Sequence, residues 1–201
     1  MKRFSFLLVV VVLSLSSLAA AAPPTCVEES LAKYIALGTE GCVYGGVTFA
    51  NFGYAAKANG GAQPVTPDQI NIRILLLPGS PQLVFSSNWK AAAGETQDSY
   101  IKYTVQPHAT NLEAEGLLLL QMGTFQLGLI GSVTVDETTD LGDLQVTAQC
   151  ADACTAPKSD SLEYWPLGQL QVLDHVNLAP KNGEASLSSF TATFNFCPPC
   201  A

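Results

Sequence analysis

The chain has few charged residues and particularly few basic ones. Only 13% of its 201 residues are charged, and 9 Lys and Arg stand against 17 Asp and Glu. Because Lys2 and Arg3 belong to a predicted signal peptide, the mature chain has 7 basic residues and a net charge of −10. This balance argues against nucleic acid and anionic membranes as partners. The 48% hydrophobic content argues against a disordered acidic tail and suits an all-β domain.

Histidines and catalytic motifs are also scarce. The sequence has two histidines, His108 and His175, and neither lies near a nucleophile motif such as G-x-S-x-G. His175 alternates with Gln171 and Asn177 on the polar face of a strand, which predicts a surface residue. No pair among the acidic residues has specific support for glycoside hydrolysis. We therefore expect no enzymatic activity and no cofactor, and a secreted hydrolase is the least favoured alternative.

The N-terminal residues have the pattern of a secretory signal peptide. Met1–Arg3 is basic, Phe4–Leu18 is mostly apolar, and Ala19–Ala22 offers small residues for cleavage. The apolar run is shorter than the ~20 residues of a spanning helix, which disfavours the alternative of a permanent anchor. We predict a signal peptide at 1–22 and a single secreted domain at 23–201, extracellular or periplasmic, with no membrane association after cleavage.

Six cysteines remain after cleavage, which in an exported protein predicts three disulfides among 15 possible pairings. They are Cys26, Cys42, Cys150, Cys154, Cys197 and Cys200. We favour local pairing, in which a Cys26–Cys42 bond stabilises the fold by ~3 kcal/mol. A metal site made by the Cys150–Cys154 and Cys197–Cys200 pairs, or a redox role for Cys197-Pro-Pro-Cys200, are the weaker alternatives.

One helix is predicted, at Thr25–Gly38 near the mature N-terminus. Thr25 and Glu28 form a capping-box pattern, and Gly38 is a typical stop. Leu31, Tyr34 and Ile35 are expected on its buried side.

The remaining chain is predicted to form nine or ten strands. Val47–Tyr54 has an alternation that slips near Asn51, which indicates a bulge, and Lys57–Asp68 has a loop composition. Further strands include Ile70–Leu76 and Leu83–Trp89. Trp89 falls on the same strand face as the apolar Leu83 and Phe85, which predicts a core position for it. The regular alternation of Phe125–Val135 predicts one long strand whose core face includes Leu129.

The closing stretch, Gln169–Phe196, is predicted to be a β-hairpin with an Asn182-Gly183 turn. Each strand carries apolar residues on alternate positions, so each has one buried face. These positions are Leu170, Val172, Val176 and Leu178 on one strand, and Phe190, Ala192, Phe194 and Phe196 on the other. We predict an all-β, antiparallel two-sheet β-sandwich, jelly-roll or Ig-like, with one short N-terminal helix.

Several segments resemble a known group of proteins in their order and spacing. They are Ser30–Gly38, Gly41–Cys42, Thr48–Phe52, Asp98–Val105, Val133–Thr138 and Ala185–Phe196. Together they resemble secreted bacterial proteins, common in acidobacteria, that often carry a PEP-CTERM sorting tail. The resemblance implies export and association with extracellular polymers, for a group whose biochemical role is mostly uncharacterised. The chain lacks the sorting tail, so we expect it to be free of covalent anchoring.

Two groups of residues are candidates for ligand binding, and for each of them a purely structural role is the favoured alternative. Asp136, Glu137, Asp140 and Asp143 form a weak calcium candidate, because they lack EF-hand spacing; a solvated strand end is favoured. Trp165 with Tyr164 offers a possible stacking platform for sugar rings, although packing in the core or at an edge is favoured.

The favoured function is therefore a non-enzymatic structural or protein-interaction role in the cell envelope or extracellular matrix. The expected partners are a second copy of the chain, other envelope or matrix proteins, or polysaccharide. The alternative from a different class is a carbohydrate-binding module.

Overall fold

A computed structural model describes residues 22–77, 80–108, 116–151, 154–155, 159–164 and 168–195. Two antiparallel seven-stranded sheets, here called sheet A and sheet B, face each other across a shared apolar core. One short α-helix, α1 (Leu31–Ala36), lies near the N-terminus of the described chain. The prediction of an all-β two-sheet sandwich with a short N-terminal helix is confirmed.

Strands are numbered in chain order, and sheet A is described first. From one edge to the other, sheet A consists of β11 (Cys154–Thr155), β10 (Gly142–Cys150), β9 (Ile130–Thr139), β13 (Leu170–Asn182), β6 (Thr96–Pro107), β3 (Val47–Asn59) and β2 (Cys42–Tyr44).

Sheet B has a main path of six strands and one side strand. The path is β1 (Glu29–Ser30), β4 (Asn71–Leu77), β5 (Ser80–Ala91), β14 (Ala185–Asn195), β7 (Gly116–Met122) and β12 (Ser159–Tyr164). The short strand β8 (Phe125–Leu127) pairs with the beginning of β14.

Alternate residues of both sheets fill the core, as the period of two in the sequence predicts. Trp89 is fully buried, which confirms its predicted position, and its Nε1 donates a 3.1 Å hydrogen bond to Ser99 Oγ. Aromatic rings bridge the layers; the ring centroids of Phe85 in sheet B and Tyr103 in sheet A lie 5.8 Å apart. The predicted core faces of the last two strands are buried wherever the structure describes them; they are Leu170, Val172, Val176 and Leu178 on β13, and Phe190, Ala192 and Phe194 on β14.

The predicted closing hairpin is wrong, because its two strands belong to different sheets. β13 pairs with β6 and β9, whereas β14 pairs with β5, β7 and β8. Both edges of each strand are therefore occupied, and neither has room for the other. The Asn182-Gly183 segment, with φ +83° at Gly183, carries the chain from sheet A to sheet B instead of turning back within one sheet.

The single strand predicted for Phe125–Val135 is also wrong. The chain forms β8 in sheet B, crosses at Gly128 and Leu129, and continues as β9 in sheet A. Leu129 lies on this crossing and is 77% exposed instead of buried. The alternation continues through the crossing because odd-numbered residues face the shared core in both β8 and β9.

The two crossings between the sheets pack against each other. The amide N–H of Gly128 donates to the carbonyl oxygen of Glu184 at 2.8 Å. A Cβ at Gly128 would lie 2.1 Å from the carbonyl oxygen of Asn182, so a side chain does not fit there. Glycine at this position therefore allows a close backbone contact at the end of the sandwich.

The N-terminal helix is shorter than predicted. Residues Thr25 and Cys26 pair with β2 instead of starting a helix; the N–H of Cys26 donates to Val43 O at 3.0 Å. The N-cap is Ser30, not Thr25, and α1 buries Leu31 and Tyr34. No helix in the described ranges has the length and apolar character needed to cross a bilayer.

The bulge predicted near Asn51 is confirmed. Asn51 has φ +57°, and the register between β3 and β6 shifts between Ala50 and Gly53. Beyond the bulge, β3 continues to Asn59, so the predicted loop at Lys57–Asp68 begins later than expected.

Replacing Gly128 with alanine should destabilise the protein by about 1–3 kcal/mol, because the new methyl group overlaps the backbone of the second crossing. The free energy of unfolding from urea titration measures the effect. Gly168→Ala is the matched control, since a methyl group at that position would meet no atom within 4 Å. Equal stabilities of the two variants would contradict the packed crossings.

Candidate functional site

Polar side chains form a continuous row on the outer face of sheet A, the face opposite the core. They come from alternate positions of five neighbouring strands, which the antiparallel register places side by side. We call this row the outer ladder; it consists of Lys57, Asp98, Tyr100, Asp136, Gln145, His175 and Asn177.

His175 lies at the centre of the outer ladder between two carboxylates. Its Nε2 is 2.9 Å from Asp98 Oδ1, and its Nδ1 is 3.4 Å from Asp136 Oδ2. Asn177 Nδ2 donates to Asp98 Oδ1 at 2.8 Å, and Gln145 Nε2 donates to Asp136 Oδ1 at 2.6 Å. Since carboxylates only accept, Nε2 is the donor in the hydrogen bond to Asp98 Oδ1. The cluster is thus held in place by contacts across four strands.

Aromatic stacking further restrains the side chains around His175. The rings of Tyr100 and His175 are stacked with their centroids 4.3 Å apart and their planes within 1°. Lys57 Nζ lies 6.0 Å from the centroid of the Tyr100 ring. The imidazole therefore covers a face of the phenol, and the two rings form one rigid unit.

A shallow groove lies beside the outer ladder. It has a volume of about 240 Å³ and is lined by residues that include Gly53, Ala55, Tyr100, Lys102 and Leu173. Leu173 is an apolar side chain with 40% of its surface exposed. The groove therefore combines apolar surface with a cation, next to the hydrogen-bonding groups of the outer ladder.

A second polar cluster lies on the opposite, inner face of the same strands. Glu137 of β9 is directly opposite Asp174 of β13, and these side chains are 1% and 0% exposed. We call them the core acid pair. Tyr103 of β6 packs nearby, is 2% exposed and is surrounded by aromatic rings.

The core acid pair requires a proton. Within the described chain, Tyr103 Oη, Glu137 Oε2 and both carboxyl oxygens of Asp174 have no hydrogen-bond partner of standard geometry. The two residues lie directly opposite each other, and their carboxyl groups interact electrostatically. Ionised carboxylates only accept, so a bond between them forms when one is protonated and donates to the other.

Burial controls the ionisation of this cluster. It raises the pKa of Glu137 to about 7. Burial, followed by the charge of Glu137, raises the pKa of Asp174 well above its ordinary range. Burial and then the charges of the two acids also raise the pKa of Tyr103. The charged forms are disfavoured because the apolar core cannot solvate them.

Sequence reasoning missed the core acid pair, although the signal was present. Asp174 is in phase with Val172 and Val176 on the apolar side of β13, and Glu137 is in phase with Val135 on β9. A carboxylate in phase with buried residues indicates either a strand end or a buried acid.

The four acids of the calcium candidate do not converge. Asp136 lies on the outer face and Glu137 in the core, since they are consecutive residues of one strand. Asp140 Oδ2 accepts a hydrogen bond from the N–H of Gln171 at 3.1 Å, and Asp143 is exposed. In the part of the chain that the structure describes, no three His, Cys, Asp or Glu side chains are arranged to hold a metal ion.

The predicted Cys26–Cys42 disulfide is present, with 4.9 Å between the two Cα atoms. Cys150 is also disulfide-bonded and lies opposite Cys154 in the β10–β11 register. Cys197, Cys200 and Trp165 lie outside the described residues, and for Tyr164 only the backbone, in β12, is described.

The sequence matches no protein-family model, and no curated protein is significantly similar to it. Evidence for function therefore comes from the chemistry of this chain's own residues.

The core acid pair should make stability fall as the pH rises. Between the ordinary carboxyl pKa of about 4.3 and the folded value of about 7 for Glu137, the native state binds more protons than the unfolded chain. The free energy of unfolding then decreases by about 1.4 kcal/mol per pH unit for each proton. Further loss follows at higher pH as Asp174 ionises. Urea unfolding at half-unit steps from pH 4.5 to 8.5 measures this slope.

The double variant Glu137→Gln with Asp174→Asn should flatten the slope. Asp143→Asn, which removes an exposed acid of sheet A, should retain it. An unchanged slope in the double variant would show that the core acid pair does not bind the extra protons.

Proposed function

We propose that this chain is an exported, non-enzymatic β-sandwich of the cell envelope or extracellular matrix that binds a partner through the outer ladder. The signal-like residues 1–22 support export. The Cys26–Cys42 bond supports an oxidising compartment, since structural disulfides form there. The resemblance to secreted PEP-CTERM-associated proteins agrees with this location and with a role near extracellular polymer.

The proposal depends on one observation: the side chains of the outer ladder are held in fixed positions on a solvent-facing sheet. The side chains of Asp98, Asp136 and His175 are between 16% and 29% exposed, so they are accessible but restrained. Their cross-strand contacts fix the rotamers before any partner arrives. Binding to such a surface costs little side-chain entropy, which favours a recognition role.

The contacts of His175 support binding over hydrolysis. The imidazole nitrogens face Asp98 and Asp136, and its ring stacks on Tyr100. Among the described residues, no serine, threonine or cysteine hydroxyl or thiol is hydrogen-bonded to this imidazole. A nucleophile activated by His175 would need such a contact.

Carbohydrate binding is the second candidate function. The Tyr100 and His175 rings lie beside amide and carboxylate groups of Asn177, Asp98 and Gln145, and the groove adds apolar surface. Sugar-binding surfaces combine ring contacts with hydrogen-bonding groups in this way. The stacking platform of Trp165 with Tyr164 stays a separate prediction.

Variants of the outer ladder should lose binding to the native partner. The oxidised protein 23–201 is incubated with envelope and extracellular-polymer fractions of the producing cells, and its retention is measured. Asp98→Ala and Tyr100→Ala should each reduce retention about tenfold, because a contact worth about 1.4 kcal/mol is lost. Arg73→Ala is the control, since Arg73 is exposed on sheet B.

Equal retention of wild type and both ladder variants would overturn the proposed surface. Loss of retention after polysaccharide is digested would select the carbohydrate candidate, and Trp165→Ala then tests the alternative platform. Turnover of a glycoside or ester substrate that His175→Ala abolishes would overturn the non-enzymatic role.

A further inference from the structure

One edge of sheet A is open over half of a long strand. β2 pairs with β3 only at Val47–Phe49, whereas β3 extends to Asn59. The segment Gly53–Asn59 pairs with β6 on its inner side. No backbone hydrogen bond from any other described segment reaches it. Seven strand residues, about 24 Å at ~3.4 Å per residue, thus present unpaired backbone groups that another strand can bind.

The opposite edge of the sheet is partly occupied. β11 pairs with β10 at Gln149 and Cys150, and Asp160 Oδ2 accepts the N–H of Gln145 at 2.9 Å. Gly53–Asn59, in contrast, contains no proline and a single charge, Lys57. The usual devices that prevent strand addition are therefore few at this edge.

The groove lies directly beside the open edge. Gly53 and Ala55 of β3 form its near side, and Tyr100, Lys102 and Leu173 form the rest. Because Ala55 is small, a side chain from an added strand can lie over it against the Tyr100 ring and the methylene chain of Lys102, which itself lies over Gly53. Alternate side chains of a strand point to one face, so the groove accepts one large apolar residue from it.

Two cations flank the groove in a strongly acidic protein. Lys57 and Lys102 are exposed, and neither is ion-paired to a described carboxylate. The mature chain carries only 7 basic residues against 17 acidic ones. Lys57 lies opposite Asp98, whereas the register neighbours of Lys102, Gly53 and Leu173, are uncharged. Lys102 therefore gives the groove a local positive charge, which favours a partner with acidic side chains next to the apolar one.

We propose that Gly53–Asn59 and the adjoining groove bind an extended segment of another protein as an added strand of sheet A. The segment places a large apolar side chain in the groove and acidic side chains beside Lys57 and Lys102. This inference rests on the proposed interaction role, and it names the kind of partner: an acidic, apolar β-strand peptide.

The probe is a fluorescein-labelled peptide of about nine residues, long enough to span the edge. It has phenylalanine at its centre, glutamate two residues to either side and threonine between them. Binding to the oxidised protein 23–201 is followed by fluorescence anisotropy at low salt. We expect saturable binding that Lys57→Glu and Lys102→Glu each weaken about tenfold and Ala55→Glu weakens further.

Two N-methylated probes report on strand pairing itself. Methyl groups on alternate amides of one peptide edge should abolish binding, and methyl groups on the other edge should leave it unchanged, because an added strand bonds through one edge only. Arg73→Glu, a charge reversal on sheet B, is the matched control and should bind the probe like wild type.

Failure of the unmodified peptide to bind, or equal binding of both methylated peptides, would overturn the inference. A dimer that is detected by light scattering and that Ala55→Glu dissociates would also overturn the inference, since the edge would then accept a second copy of this chain. If the protein is retained on cell fractions in a way that depends on Asp98 but does not bind the peptide, this inference is wrong and the proposed function still stands.

Discussion

The register between β9 and β13 is the constraint on which both polar clusters depend. Glu137 faces Asp174 across this register, and the preceding Asp136 faces the following His175. The core acid pair and the centre of the outer ladder are therefore the two faces of the same stretch of sheet. A slip of one residue would bring each acid to the wrong side. The packed crossings at Gly128 and Gly183 stabilise this register from the strand ends.

The two clusters differ in what they contribute to the fold. In the outer ladder, Asp98 and Asp136 obtain hydrogen bonds from neighbouring strands and keep contact with water. In the core, Asp174 and Glu137 lose hydration and have few partners besides each other. A hydrophobic pair at these positions would pack more favourably. The core acid pair therefore lowers stability at neutral pH, and the large aromatic core around Tyr103 offsets that cost.

Sequence periodicity predicted the faces of strands well and their partners poorly. The core position of Trp89, the bulge at Asn51 and the buried residues of β13 all follow from local alternation or its interruption. Alternation is the same whether two successive strands pair in one sheet or face each other across the core, so the crossings at Gly128 and Gly183 were missed. The outer ladder required the register among five strands, which no local pattern contains. Asp174 could have been found, because its phase among valines was visible.

The two edges of sheet A differ in how many of their backbone groups already have partners. A sheet that is open on both sides can join copies head to tail without end, as in fibres. Here β11 and the Asp160 carboxylate occupy one side, while Gly53–Asn59 leaves the other accessible. An added strand at Gly53–Asn59 would meet seven consecutive residues that have no backbone partner on that side among the described ranges, whereas one at β10 would meet groups at Gln145, Gln149 and Cys150 that already have partners.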